Sequence, residues 1–159
     1  MNWILLLEQT LNGFQFGILL FLLAAGLTLI FGIMDLINLA HGSLYMMGAY
    51  FAATFTQWTD SFLIGALLAL PACMLFGVIL ERIALRTLYT RSHLDQVLAT
   101  FGLIIFFNEF VRLIWGPIGL DIPLPELLSG SVELFFGIRY PAFRLVIIVV
   151  GIMVAFLLY

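Results

Sequence analysis

The chain has 159 residues, of which 64% are apolar and only 9% charged, and its formal charge is −3 with no lysine at all. A soluble domain averages about 25% charged and about 45–50% apolar residues, so a solvated globular surface is excluded and an integral membrane protein is indicated. No basic cluster is present, which removes the electrostatic footing that nucleic-acid binding requires.

Cys73 is the single cysteine, so neither an intrachain disulfide nor a thiolate zinc site is available, and its apolar neighbours suit a small packing residue. No metal or other cofactor is called for. The first residues, Met1 to Glu8, have no positive flank and no small-residue cleavage site, and read as mature protein.

A spanning helix needs roughly 20 apolar residues. Five segments come near that: residues 13–33, 36–56, 62–83, 97–115 and 142–159. The apolar runs are unbroken and do not alternate, which excludes a β-barrel. The expected fold is therefore all-α, a polytopic transmembrane bundle of about five spanning helices.

Between the first two segments polar residues enter the apolar run. Asp35 and His41 are the only acidic or imidazole side chains between Leu11 and Thr56. With Asn38 they stand at three-residue spacing, which on a continuous helix would put all three on one side. Gly32, Gly42 and Gly48 mark places for a bend or a close helix approach. A second helix counted only from Gly42 to Thr56 would rise ~22 Å, short of the hydrocarbon core. Two readings follow. Either a broken or re-entrant turn lies at membrane depth, as in transporters with discontinuous helices, or an interfacial turn lets Asn38 cap a helix that begins at Leu39. Asp35, Asn38, His41 and Gly42 are the candidate residues of a translocation path or gate, because ionisable groups are costly in hydrocarbon.

The remaining polar residues supply orientation and packing. Arg82, Arg86 and Arg91 form a compact basic loop that suits the cytoplasm, while Trp3, Trp58 and Trp115 make one aromatic belt on the other face. The N-terminus is thus expected outside. Glu109 and Arg112, at i and i+3 late in the fourth segment, are expected to pair within the membrane region; His93 belongs to the basic loop as a solvated residue. From Gly116 to Pro141 three prolines and Ser129-Gly-Ser131 predict an irregular, mildly acidic outer loop. Small residues four apart, Gly13 with Gly17, Ala49 with Ala53 and Gly65 with Ala69, predict close helix contacts. The apolar run ending at Tyr159 without flanking charge leads us to expect the N-terminal part of a longer protein.

Three blocks carry a resemblance: Gly26-Leu-Thr-Leu-Ile-Phe-Gly32, Ile37-Asn-Leu-Ala-His-Gly42 and Tyr45-Met-Met-Gly-Ala-Tyr50. Together with Glu81-Arg-Ile-Ala-Leu-Arg86, Thr100-Phe-Gly-Leu103 and Phe107 to Pro117, they resemble the branched-chain amino acid ABC transporter permeases. Asp35 departs from the pattern, standing where a small or basic residue is expected, and members of the family run to nearly twice this length. The resemblance implies a multi-pass subunit of the bacterial inner membrane with a periplasmic N-terminus. It would form the path with a second permease subunit, be driven by cytosolic ATPase subunits, and be loaded by a periplasmic amino-acid-binding protein. It implies no cofactor and no catalysis. No phosphate-binding G-x-x-x-x-G-K-[ST] loop is present, which fits a subunit that leaves ATP to its partners. The contrasting class is a membrane scaffold or an inactive permease fragment, which co-purification with ATPase subunits would separate. An intramembrane hydrolase is disfavoured because Ser43 and His41 face different sides of a helix.

Overall fold

The computed structural model describes residues 3–134 and 137–158; Tyr159, the end of the predicted last span, lies outside them. The elements in order are α1 (Trp3–Met34), α2 (His41–Thr59), α3 (Phe62–Leu80), α4 (His93–Trp115), α5 (Glu126–Ser129), β1 (Ser131–Glu133), β2 (Arg139–Pro141) and α6 (Ala142–Leu158). α3 continues through a π-helical turn, Glu81–Leu85, into a 3₁₀ turn, Arg86–Leu88. Among the described residues three helices are long and apolar enough to cross a bilayer: Trp3–Met34, Phe62–Leu88 and His93–Trp115. α2 has 19 residues but carries His, Ser, Thr and Gln side chains, and the described part of α6 has 17. The architecture is that of a transmembrane helical bundle.

The expected boundaries shift for local reasons. α1 begins ten residues earlier than the apolar run, since nothing between Trp3 and Asn12 breaks a helix and interfacial polar residues can prolong one. α4 begins at His93 because Ser92 caps it, its Oγ accepting from Asp95 N at 3.3 Å. The 116–141 loop holds a short antiparallel ladder, pairing Ser131 with Pro141, Val132 with Tyr140 and Glu133 with Arg139. The proline count excluded a long helix there but gave no sign of this hairpin.

The structure divides into two compact units, with Leu27–Pro123 forming one and the flanking stretches the other. In the flanking unit, Tyr140 is 1% exposed, and its hydroxyl donates to Asn12 Oδ1 on α1 at 3.1 Å. Arg144 Nη1 donates to the same oxygen, so this arginine is tied to α1 rather than free in a loop. Further along, Gly151 of α6 packs against Ile18, leaving no room for a Cβ.

In the central unit, α2 and α3 form a tight antiparallel hairpin. Asp60, with φ 51°, closes α2 in the left-handed conformation, and Ser61 caps α3. The two backbones meet where Gly65 sits over Thr56, whose backbone N would lie 2.6 Å from any Cβ placed there. Gly65 thus makes the predicted close helix approach, and Ala69, one turn on, is buried. Ala53 is buried but Ala49 is exposed, and neither Gly13 nor Gly17 has a neighbour within 4 Å of a Cβ position. α4 runs parallel to α2. Leu39 N, just ahead of α2, bonds to Thr100 near the start of α4, and Thr54 near the end of α2 accepts from Trp115 Nε1 at 2.9 Å. Leu36, Met47, Leu80, Leu85, Phe107 and Val111 make the buried core between these elements. Phe76 bridges them by edge-on contacts to Phe51 and Phe107, with ring centroids 5.7 and 5.5 Å away.

Candidate functional site

The centre of interest is the non-helical stretch at residues 35–40. α1 stops because Asp35 takes φ 49°, a left-handed conformation that Asp tolerates better than most side chains. Its N–H still bonds to Phe31 O at 2.9 Å, closing the helix. Leu36 then drops into the core at 1% exposure and anchors the stretch.

A polar stretch in such apolar surroundings must find partners for its backbone. Ile37 N donates to Gln96 Oε1 at 3.0 Å, Leu39 N to Thr100 Oγ1 at 3.2 Å, and Ala40 N to Asn38 Oδ1 at 3.1 Å. Asn38 O accepts from His41 N, while Ala40 O accepts from both Ser43 N and Leu44 N. Among the backbone donors of α2's first turn, only Gly42 N–H closes no hydrogen bond among the described residues. His41 Nδ1 is also buried without a partner among them.

This arrangement corrects two expectations. Asp35, Asn38 and His41 do not share one helical face, because the backbone between them is not helical: Asp35 is exposed, Asn38 is 1% exposed, and His41 is half-buried at the start of α2. Nor does Asn38 cap a helix beginning at Leu39. α2 begins at His41, the residue before it is Ala40, and no side chain caps the helix. The Asn38 carboxamide turns inward and shapes the break itself.

The structure also assigns weight to two residues that sequence reasoning passed over. Gln96 and Thr100, at i and i+4 on α4, are 2% and 0% exposed. Placing the start of the fourth span at Val97 put Gln96 in a loop. The usable signal was a pair of polar residues one turn apart at the head of an apolar helix.

The other candidates lie apart from the break. Arg112 Nη1 is 3.3 Å from Glu109 Oε1, on an exposed face of α4's second half. Arg82, Arg86 and Arg91 are all exposed on or just after the turns that end α3. Tyr89 belongs to the same region, its hydroxyl donating to Glu81 Oε1 at 3.3 Å. His93 is exposed, yet its Nδ1 lies 3.3 Å from Gln96 Oε1, so it is not merely solvated. At the opposite end of the unit a mainly apolar groove of about 490 Å³ is lined by Met47, Phe51, Trp58, Phe76, Ile114 and Trp115, among others.

The family model described as "Branched-chain amino acid transport system / permease component" matches residues 9–159. The chain is 31% identical over 137 residues to the high-affinity branched-chain amino acid transport system permease protein LivH of Salmonella typhimurium, covering 79% of this chain and 43% of that protein. LivH of Escherichia coli K12 is 31% identical over 134 residues, and the permease protein BraD of Pseudomonas aeruginosa 32% over 134, with the same shares covered. The chain therefore spans about 43% of the length of these relatives. No solved structure matches. Since the family match takes in residues 9–159 of 159, the chain belongs to the branched-chain amino acid transport system permease family.

Proposed function

We propose that this chain forms part of the membrane-spanning permease subunit of an ATP-binding-cassette importer for branched-chain or related amino acids. It works in the bacterial inner membrane beside a second permease subunit, cytosolic ATPase subunits and a periplasmic amino-acid-binding protein. In this reading α2 and α6 cross the bilayer as α1, α3 and α4 do. The N-terminus is periplasmic and the Arg82, Arg86 and Arg91 turn cytoplasmic. The family match over residues 9–159 carries the proposal.

Residues 35–42 line or gate the path. The open Gly42 N–H at a helix N-terminus suits a substrate carboxylate, and the unpartnered His41 Nδ1, buried in this conformation, joins it once the site opens. Asp35 and Asn38 hold the backbone that presents them. The Glu109–Arg112 pair steadies α4 without touching substrate.

The test is uptake of radiolabelled leucine by cells whose only permease of this type carries the chain. Parent and His41→Ala proteins would be compared, with recovery of the assembled complex as control. Loss of uptake with assembly intact supports the reading. Unchanged uptake and assembly would remove His41 from the path, and no leucine, isoleucine or valine uptake by the parent would remove the substrate assignment.

A further inference from the structure

Gln96 uses both ends of its carboxamide, and the two ends serve different segments. Its Oε1 accepts from Ile37 N in the break at 3.0 Å. Its Nε2 donates to Leu88 O at 3.1 Å and to Arg91 O at 3.4 Å, both in the basic turn that follows α3. The side chain is 2% exposed, so water does not readily replace these partners. A planar amide keeps its oxygen and nitrogen at a fixed separation. Displacement of the 88–91 carbonyls must therefore drag the oxygen that holds Ile37, or break a buried bond.

We infer that Gln96 is a positioning residue that couples the basic turn to the break, so that the two segments move together. The turn carries Arg86 and Arg91 outward, both exposed, and offers a handle to whatever presses on that face. Thr100 extends the link by one turn. Its Oγ1 accepts from Leu39 N at 3.2 Å and donates to Gln96 O at 2.7 Å, so Ile37 and Leu39 both hang from one edge of α4. The consequence for gating rests on the transport reading above, whereas the coupling does not. A passive staple would hold each segment separately, and disturbing one would leave the other unchanged.

The experiment is hydrogen–deuterium exchange on the full permease carrying this chain, in lipid nanodiscs, following the peptide that covers residues 35–40. One glycine is inserted after Thr90 to loosen the turn, in the parent and in Gln96→Glu and Gln96→Met backgrounds. In the parent the insertion should speed exchange of the break about tenfold, the loss of roughly one buried hydrogen bond. Gln96→Glu keeps the acceptor for Ile37 and lacks the amide donor, so its break should stay slow and ignore the insertion. Gln96→Met should exchange fast with or without the insertion. Equal acceleration in parent and Gln96→Glu, or none in the parent, overturns the coupling. Should Gln96→Met fail to fold, the parent and Gln96→Glu comparison decides alone. Exchange is read without transport, so failure here leaves the permease assignment standing, and absence of uptake leaves this result standing.

Discussion

Gln96 on α4 and Ile37 in the break lie 59 positions apart in sequence, yet the Gln96 carboxamide oxygen accepts the Ile37 N–H at 3.0 Å. Side chains of a helix thus take over backbone hydrogen bonding that a broken stretch cannot supply for itself. The same logic holds one turn on, at Thr100, and gives a first expectation. Thr100→Val keeps the shape but leaves Leu39 N–H without its acceptor, and should destabilise the folded chain by about 1–3 kcal/mol. Thr100→Ser keeps the hydroxyl and should lose less. Thermal unfolding in detergent decides, and equal midpoints for Val and parent would show that this bond contributes nothing.

The α2–α3 hairpin supplies a second expectation. A methyl at Gly65 would meet Thr56 Oγ1, and also lie 2.6 and 2.7 Å from that residue's backbone N and Cα. Backbone cannot swing aside as a side chain can, so Gly65→Ala should force the helices apart and cost about 1–3 kcal/mol or more. Adding Thr56→Ala removes only the hydroxyl contact and should not restore stability. Full recovery in the double variant would place the obstruction in the side chain alone.

Much of this architecture was legible because long apolar runs leave few alternatives. The helical class and the close approach of α3 to a neighbour at Gly65 follow from residue size and the scarcity of charge. A concentration of polar residues drew attention to the 35–40 connection, but its geometry was not legible. Three-residue spacing suggests a shared face only while the backbone stays helical, and Asp35 ends that with a positive φ that no spacing reveals. Gln96 and Thr100 were missed because their role depends on a partner segment 59 to 61 positions away. The 131–141 hairpin was hidden for a related reason: three-residue strands carry too little alternation to stand out.

Tyr89 gives an expectation in alkali. Partial burial and then the Glu81 carboxylate, which also accepts its hydroxyl bond, hold the phenol above its ordinary value of 10.0, while Arg86 opposes them. A pKa raised in the fold means that the neutral phenol is favoured there. Its contribution is complete below the unfolded value and is lost as pH rises through the folded one, so none of it varies near neutrality. Difference absorbance between parent and Tyr89→Phe should show Tyr89 ionising later than free tyrosine. Glu81→Gln should bring it earlier by removing the adjacent charge. A midpoint in Glu81→Gln equal to the parent's would show that the carboxylate is not responsible.

A substitution at Gly42 tells a packing role from the proposed role in passage. No neighbour lies within 4 Å of a Cβ at this position and its φ is not in the left-handed region, so nothing in the fold demands glycine. As an ordinary residue of α2's first turn, Gly42→Ala should leave stability unchanged or raise it by about 0.5–1 kcal/mol. If the open N–H beside it receives a substrate carboxylate, the added methyl narrows the approach, and leucine uptake should fall while the unfolding midpoint holds or rises. Opposite movement of the two measurements is the signature of a residue kept small for a ligand and not for packing. Uptake equal to the parent's would take Gly42 out of the path and leave His41 as its only candidate contact on this turn.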